Sequence, residues 1–346
     1  MTYNEAVFIE KPGLLKRVTS RLPELGRYEV LVRIEYTVMS PEDFLPYYEE
    51  QGNYPCRVTG KCSGIVEKTG KDVKGFVAGD GVVISIPDKC TDCMAYDEIA
   101  KRCGYDRPQE HQCYLQSALS RYIVCQELFL HKLPSKFDMS IAALSETLAS
   151  ALHSIRRVSY GSPPKRVLVI GARFRGLALI ACCKMLGVKE IIVADCSAQW
   201  LYSALERGAD TAINTTRYSI QKAMICCREP WKPGETVFLT IEGKEAWSVA
   251  VGAAGYGGTV VRVLRKGAEL VDADKIYQQN ISLISIGNYE KEIDTVIEAL
   301  ANGKLHFSDI ITKRFLFDEC EKGFSYALRE RDALFCIGFH PNKQTE

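Results

Sequence analysis

Residues 165–195 read KRVLVIGARFRGLALIACCKMLGVKEIIVAD. Val167–Ile170 is a short β-branched apolar run, the pattern of a buried parallel strand. Gly171-Ala172-Arg173-Phe174-Arg175-Gly176 follows without a spacer. Leu177–Leu186 then carries a helical apolar pattern, and Gly187 stops it. Ile191–Ala194 reads as a second strand, ending on Asp195. This order is the β-turn-α-β unit of a dinucleotide site. The first glycine permits the tight turn, the last lets helix and strand pack closely, and the helix N-terminus faces a pyrophosphate. An acid closing the second strand accepts from both ribose hydroxyls, which points to NAD rather than NADP.

One position breaks the pattern. Where the middle glycine lets backbone approach the pyrophosphate, this chain has Arg173. The guanidinium either blocks the site or lies along the phosphates and neutralises their charge, and the residues leave both readings open. The bland alternative is a strand–helix unit that binds no nucleotide.

The chain has 346 residues, more than one core comfortably serves, so two domains are expected. Its 47% hydrophobic and 25% charged content is that of an ordinary globular protein. A net charge of +1 with no basic stripe argues against nucleic acid as a partner. No apolar run has membrane-spanning length and no secretory leader is visible, so no membrane partner is expected. Fourteen cysteines include the adjacent pairs Cys182-Cys183 and Cys226-Cys227 in helix-like stretches. Neighbouring cysteines on a helix point in different directions, so no disulfide framework is expected and a reducing, cytoplasmic location fits.

On either side of the nucleotide unit the periodicity changes. Ala6–Ile9 and Glu29–Ile34 read as strands, and Tyr36–Tyr48 as a loop leading to a short helix capped by Ser40 or Asp43. Strand signals and glycine turns continue through Val82-Val83-Ile84. Residues 87–113 form a polar lobe with Cys90, Cys93, Cys103 and Cys113. Strand signals return at Ser120–Val124, and one helix is predicted over Ser140–Val158. Val237–Thr240, Thr259–Val263 and Ile281–Ile286 read as later strands, Asp294–Ala301 as a helix. The tail Leu334–Phe339 is a strand expected to rejoin the N-terminal domain.

Taken in order, these segments resemble the medium-chain dehydrogenase/reductase family, with the polyol and threonine dehydrogenase branches nearest. The resemblance rests on Gly64-Ile65-Val66-Glu67-Lys68-Thr69-Gly70 and on Val73–Phe76 leading to Gly79-Asp80. It continues through Leu133-Pro134, Ser145-Glu146-Thr147 with Ala151–Arg157, the nucleotide unit, and Gly257-Gly258. It covers nearly the whole chain. It implies an α/β protein: a GroES-like β domain at residues 1–155 and 290–346, plus a Rossmann domain with a doubly wound parallel sheet at 156–289. It further implies an NAD-dependent oxidoreductase with a small-molecule substrate, a homodimer or homotetramer, and an active site in the cleft. The implied cofactor residues are Gly171, Ala172, Arg173, Phe174, Arg175, Gly176, Asp195, Ile241 and Val263.

The departures from that family bear on the chemistry. The zinc-dependent branches hold a catalytic zinc with a Cys, a His and a Glu or Cys, leaving one place for the substrate oxygen. Here the Cys place is Ser40, the His place is Gly60 and the Glu after that His is Lys61, so only Glu146 remains. A hydroxyl is a poor zinc ligand and glycine offers none, so no catalytic zinc is expected. The structural zinc pattern of four cysteines is matched at Cys90 and Cys93 and nearly at Cys103. Asp97 or Cys113 is left to complete the set. Ser40-Pro41-Glu42-Asp43 also resembles a loop of the zinc-free quinone and enone reductases of the superfamily.

Without zinc, another group must stabilise charge on a substrate oxygen. Lys61 brings a positive charge to the lost site, with Glu146 expected as its partner and Ser40 and Asp43 as further catalytic candidates. The bland reading makes Lys61 a surface lysine. His153 is expected to be structural and Asp80 a turn residue. A non-catalytic descendant that senses nucleotide or binds a partner is the competing function.

Overall fold

The computed structural model describes residues 3–49, 54–85, 117–220, 232–263, 272–287 and 289–343. The chain divides into two compact units, Met1–Glu146 with Ser308–Glu346, and Thr147–Phe307.

The first unit holds β1 (Tyr3–Lys11), β2 (Leu14–Arg21), β3 (Glu29–Met39), β4 (Cys56–Arg57), β5 (Lys61–Thr69), β6 (Gly81–Ile84), β7 (Tyr122–Gln126) and β8 (Leu130–Lys132). The second holds β9 (Arg166–Ile170), β10 (Glu190–Asp195), β11 (Thr211–Asn214), β12 (Thr236–Leu239), β13 (Thr259–Arg262) and β14 (Ser282–Ser285). The chain then returns to the first unit with β15 (Ile311–Leu316) and β16 (Cys336–His340).

In the first unit β15, β16, β3, β5, β6 and β8 follow one another across a sheet, β7 also pairs with β3, and β2, β1 and β4 form a smaller sheet. Long β3 is the hub, antiparallel to β16, β5 and β7. Its β-branched and aromatic residues suit a strand buried on both faces. Val30, Val32 and Ile34 pack with Val66, Val82 and Ile84. Met39 packs with Ile9, Phe44, Phe324 and Phe339 in a second cluster. Each such side chain fully buried contributes about 1.5–3 kcal/mol. The tail strand pairs with β3, as its apolar pattern predicts.

In the second unit every pairing is parallel, in the order β11-β10-β9-β12-β13-β14. This doubly wound order reverses between β9 and β12, and such sheets bind ligands at that switch point, outside the C-terminal ends of the strands. All residues of β9 and β10 are buried, as their continuous apolar runs require.

Two expectations need correction. The single helix over Ser140–Val158 is two, Met139–Ala142 and Ser145–Arg156. Asp138 caps the first, Oδ1 accepting from Ser140 N at 2.7 Å and Ile141 N at 3.4 Å, and the short helix ends before Ser145. The unit boundaries also move, to 147 and 307 from the expected 156 and 289. Most of the Ser145–Arg156 helix and all of the Glu290–Ala301 helix belong with the parallel sheet. His153 lies on the first and Glu292 on the second, with His153 Nδ1 3.2 Å from Glu292 Oε1, consistent with a structural histidine. Among the described residues no helix is long and apolar enough to cross a membrane.

Candidate active site

β3 ends at Met39 and β5 begins at Lys61, and the register sets Val38 opposite Lys61. Ser40 therefore emerges beside Lys61. Ser40 caps a 3-10 turn over Pro41–Phe44, which brings the Asp43 side chain back to the Ser40 backbone. Ser40, Asp43, Lys61 and Glu146 are all buried, so Lys61 is not a surface lysine.

The Asp43 carboxylate is the hub of this cluster. Its Oδ2 accepts from Lys61 Nζ at 2.8 Å, from Ser40 N at 2.8 Å and from Ser40 Oγ at 2.7 Å. Its Oδ1 accepts from Thr59 Oγ1 at 2.8 Å. Lys61 Nζ also donates to Ser40 Oγ at 3.3 Å. Burial by itself raises the Asp43 carboxyl, but the Lys61 charge and the hydrogen bonds from Lys61 and Ser40 outweigh it, holding the group well below the usual carboxylate range. The expected carboxylate partner of Lys61 is Glu146; the structure puts Asp43 there instead. The capping geometry of Ser40 and Asp43 turns that carboxylate back, and the β3–β5 register sets Lys61 beside it.

Glu146 opens the helix Ser145–Arg156. Its charge is felt at Cys62, the neighbour of Lys61. Burial drives the Cys62 thiol up to about 12; the hydrogen bond with Thr37 lowers it, Glu146 raises it, and Lys61 and Asp43 act in opposite senses. The Ser40 hydroxyl proton goes to Asp43, leaving the oxygen to accept from Lys61. Sequence reasoning passed over Thr59. Its signal is faint, a hydroxyl one position before the glycine at the lost histidine place.

The donor set does not fit a zinc ion. Gly60 has no side chain, and a Cβ there would lie 3.0 Å from Thr37 Cγ2 and 3.1 Å from the Val38 carbonyl. The neighbouring Lys61 ammonium, bound to Asp43, would repel a cation brought beside it. Cys90, Cys93, Asp97, Cys103 and Cys113, the expected structural zinc lobe, lie outside the described residues.

The nucleotide unit of the second part of the chain is built as the glycine pattern predicts. Gly171 N donates to the Ala194 carbonyl at 2.8 Å, with Gly171 at φ +99°, where a side chain is strained. A Cβ on Gly176 would lie 1.9 Å from the Gly171 carbonyl, so helix and turn meet at glycine-only distance. Thr240 Oγ1 donates to the Gly171 carbonyl at 2.8 Å. A Cβ on Gly171 would also meet Ile241 Cγ2 at 2.4 Å, which sets Ile241 against the turn. Asp195 is buried; its Oδ2 accepts from Ala172 N at 2.7 Å and its Oδ1 from Ser197 N at 2.9 Å.

Arg173 takes φ −74° and ψ −172°, ordinary extended backbone that any residue adopts, so the turn does not need glycine there. Its guanidinium carbon lies 5.7 Å from the centre of the Trp200 ring. Arg175 reaches the other way, Nη1 donating to the Val263 carbonyl at 3.4 Å. The Phe174 side chain is buried against Phe307, ring centres 6.0 Å apart. The helix Phe174–Met185 has no side-chain cap and no acid in its first turn. Its N-terminal N–H groups, the close-packed glycines and Asp195 fit a dinucleotide.

Comparison with known proteins agrees. A family model of the alcohol dehydrogenase GroES-like domain matches residues 26–135. L-idonate 5-dehydrogenase of Vitis vinifera is 26% identical over 328 residues, 90% of this chain and 88% of that one. Sorbitol dehydrogenase of Macaca fascicularis is 28% identical over 365 residues, 99% of this chain and 97% of that one. Among solved structures, an Escherichia coli oxidoreductase/dehydrogenase of unknown specificity has a TM-score of 0.84 at 22% identity, covering 99% of this chain and all of that one. An Escherichia coli alcohol dehydrogenase complexed with NADH has a TM-score of 0.83 at 21% identity, covering 99% of this chain and 100% of that one. Over nearly its whole length the chain is similar to alcohol and polyol dehydrogenases, and residues 26–135 match the GroES-like domain of alcohol dehydrogenases. These similarities support an NAD(P)-dependent dehydrogenase or reductase, with a GroES-like part and a parallel-sheet part.

Proposed function

We propose that the protein transfers hydride between NAD(H) and an alcohol, polyol or carbonyl substrate, without catalytic zinc. The observation that carries this reading is the buried Lys61–Asp43 pair, 2.8 Å between Nζ and Oδ2, at the place the family gives to its metal ligands. NAD(H) supplies or accepts the hydride when bound, held by the Gly171–Gly176 turn, the helix N-terminus and Asp195. The Asp195 carboxylate repels a 2′-phosphate, which favours NAD over NADP.

Lys61 supplies the charge. A substrate carbonyl oxygen gains negative charge as hydride arrives, and a fixed ammonium stabilises that charge without reorganising. In reduction Nζ gives its proton to the new alkoxide. In oxidation the deprotonated amine accepts the hydroxyl proton. Asp43 holds the Lys61 side chain in place, Oδ2 accepting from Nζ at 2.8 Å. Thr59 and the Ser40 backbone fix the carboxylate in turn.

Substrates follow the relatives, among them an idonate and a sorbitol dehydrogenase. Reduction of an activated C=C bond is a second reading, favoured by the Ser40-Pro41-Glu42-Asp43 loop. Purified protein assayed with NAD and a polyol panel, and with NADH and enones, separates the two. Metal content on the same sample tests the zinc-free reading: zinc required for turnover and bound near Glu146 would overturn it.

A further inference from the structure

Thr59 and Lys61 stand two positions apart at the entry to β5, with Gly60 between them. Side chains two apart on an extended chain share a face. The Cβ direction of Gly60 leads elsewhere, toward Thr37, Val38 and Ala118. Asp43 takes both partners: Oδ1 accepts from Thr59 Oγ1 at 2.8 Å and Oδ2 from Lys61 Nζ at 2.8 Å. One carboxylate therefore grips the chain on both sides of Gly60. The Thr59 backbone is fixed independently of this contact, since its neighbour Val58 is buried and the Val58 carbonyl accepts from Ala118 N at 2.9 Å.

The two carboxylate oxygens are not held alike. Oδ2 accepts from three donors, Lys61 Nζ, Ser40 N and Ser40 Oγ. Among the described residues Oδ1 has Thr59 alone. The last torsion of an aspartate is broad and roughly two-fold, so a carboxylate gripped at one oxygen turns about its Cβ–Cγ bond. The Thr59 hydroxyl removes that freedom. An ammonium carries three hydrogens. Two of those on Lys61 are directed at Asp43 Oδ2 and Ser40 Oγ, so the place of Oδ2 sets the direction of the third.

We propose that Thr59 is a positioning residue for turnover: by locking the Asp43 carboxylate it aims the remaining Lys61 hydrogen at the substrate oxygen. The proposal rests on the Lys61 reading above and assigns a role in it to an uncharged residue. A misdirected donor costs rate rather than affinity, because the charge it meets develops only in the transition state.

Thr59→Val keeps the side-chain shape and loses the hydroxyl, and Thr59→Ser keeps the hydroxyl. Both are compared with wild type and Lys61→Met by two readouts. The first is the NMR signal of the ammonium hydrogens in protein with isotope-labelled lysine Nζ, assigned to Lys61 by its loss in Lys61→Met. Wild type and Thr59→Ser should show a slowly exchanging Lys61 signal, and Thr59→Val should lose it. The second is turnover of sorbitol with NAD. Thr59→Val should lower kcat by about ten- to a hundredfold with KM and NADH affinity unchanged, and Thr59→Ser should restore most of the rate. A wild type without the Lys61 signal, an unaltered signal or an undiminished kcat in Thr59→Val, or equal losses in the two Thr59 variants would overturn the proposal. An inactive Lys61→Met would leave the Lys61 reading standing in each of those cases. Normal turnover by Lys61→Met would overturn both. If wild type does not turn over sorbitol, the signal in Thr59→Val decides alone.

Discussion

Lys61 Nζ and Asp43 Oδ2 stand 2.8 Å apart although eighteen positions separate them in the chain, and both side chains are shut away from water. A buried pair of this kind is costly to assemble and more costly to break, because removing one partner leaves the other charge uncompensated.

Asp43→Asn should therefore destabilise the protein by about 3–5 kcal/mol in denaturant unfolding. Adding Lys61→Met to Asp43→Asn should recover much of that loss, since no stranded charge remains. A double variant as unstable as the sum of the single ones would show that the two charges are not coupled.

The same pair sets a pH dependence. The folded Asp43 carboxyl lies below its unfolded value, so its stabilisation is complete above that unfolded value and is lost as pH falls through the folded one. The stability difference between wild type and Lys61→Met/Asp43→Asn should be flat from about pH 5 to 8 and shrink below about pH 4. A difference that instead fades on the alkaline side would contradict the assignment.

Gly176→Ala should damage the nucleotide unit. The new methyl group would be driven into the Gly171 carbonyl, and relieving that overlap costs about 1–3 kcal/mol and pushes the helix away from the turn. Unfolding midpoint and NADH affinity should both fall. Full NADH affinity in this variant would mean that the turn does not hold the cofactor.

The exposed strand β14 closes one end of the parallel sheet and presents Leu283, 41% exposed, on its surface. Uncovered edges invite pairing, and we propose that the homo-oligomer the family resemblance implies forms there. Light scattering should give a dimer or tetramer for wild type and a smaller species for Leu283→Lys. A wild-type monomer at micromolar concentration would exclude this assembly.

The Rossmann part was legible because every residue of β9 and β10 is buried and the glycine spacing has a steric meaning that the packing around Gly171 and Gly176 repeats. Lys61 was legible by position, as a charge standing where a ligand was lost. Its partner was not. The capping bond from Ser40 N to Asp43 is a three-residue feature, whereas the approach of Asp43 to Lys61 depends on the β3–β5 register. Glu146 was the natural choice from charge alone. The orientations of Arg173 and Arg175 depend on Trp200 and Val263, residues far along the chain that no local pattern links to them.

The most direct test of the central claim is steady-state turnover of Lys61→Met beside its NADH titration, on metal-free protein, with whichever substrate the panel identifies. Loss of kcat with NADH affinity unchanged is the predicted result, because the ammonium acts on charge that appears only in the transition state. Normal turnover by Lys61→Met would contradict the account and remove Lys61 from the chemistry.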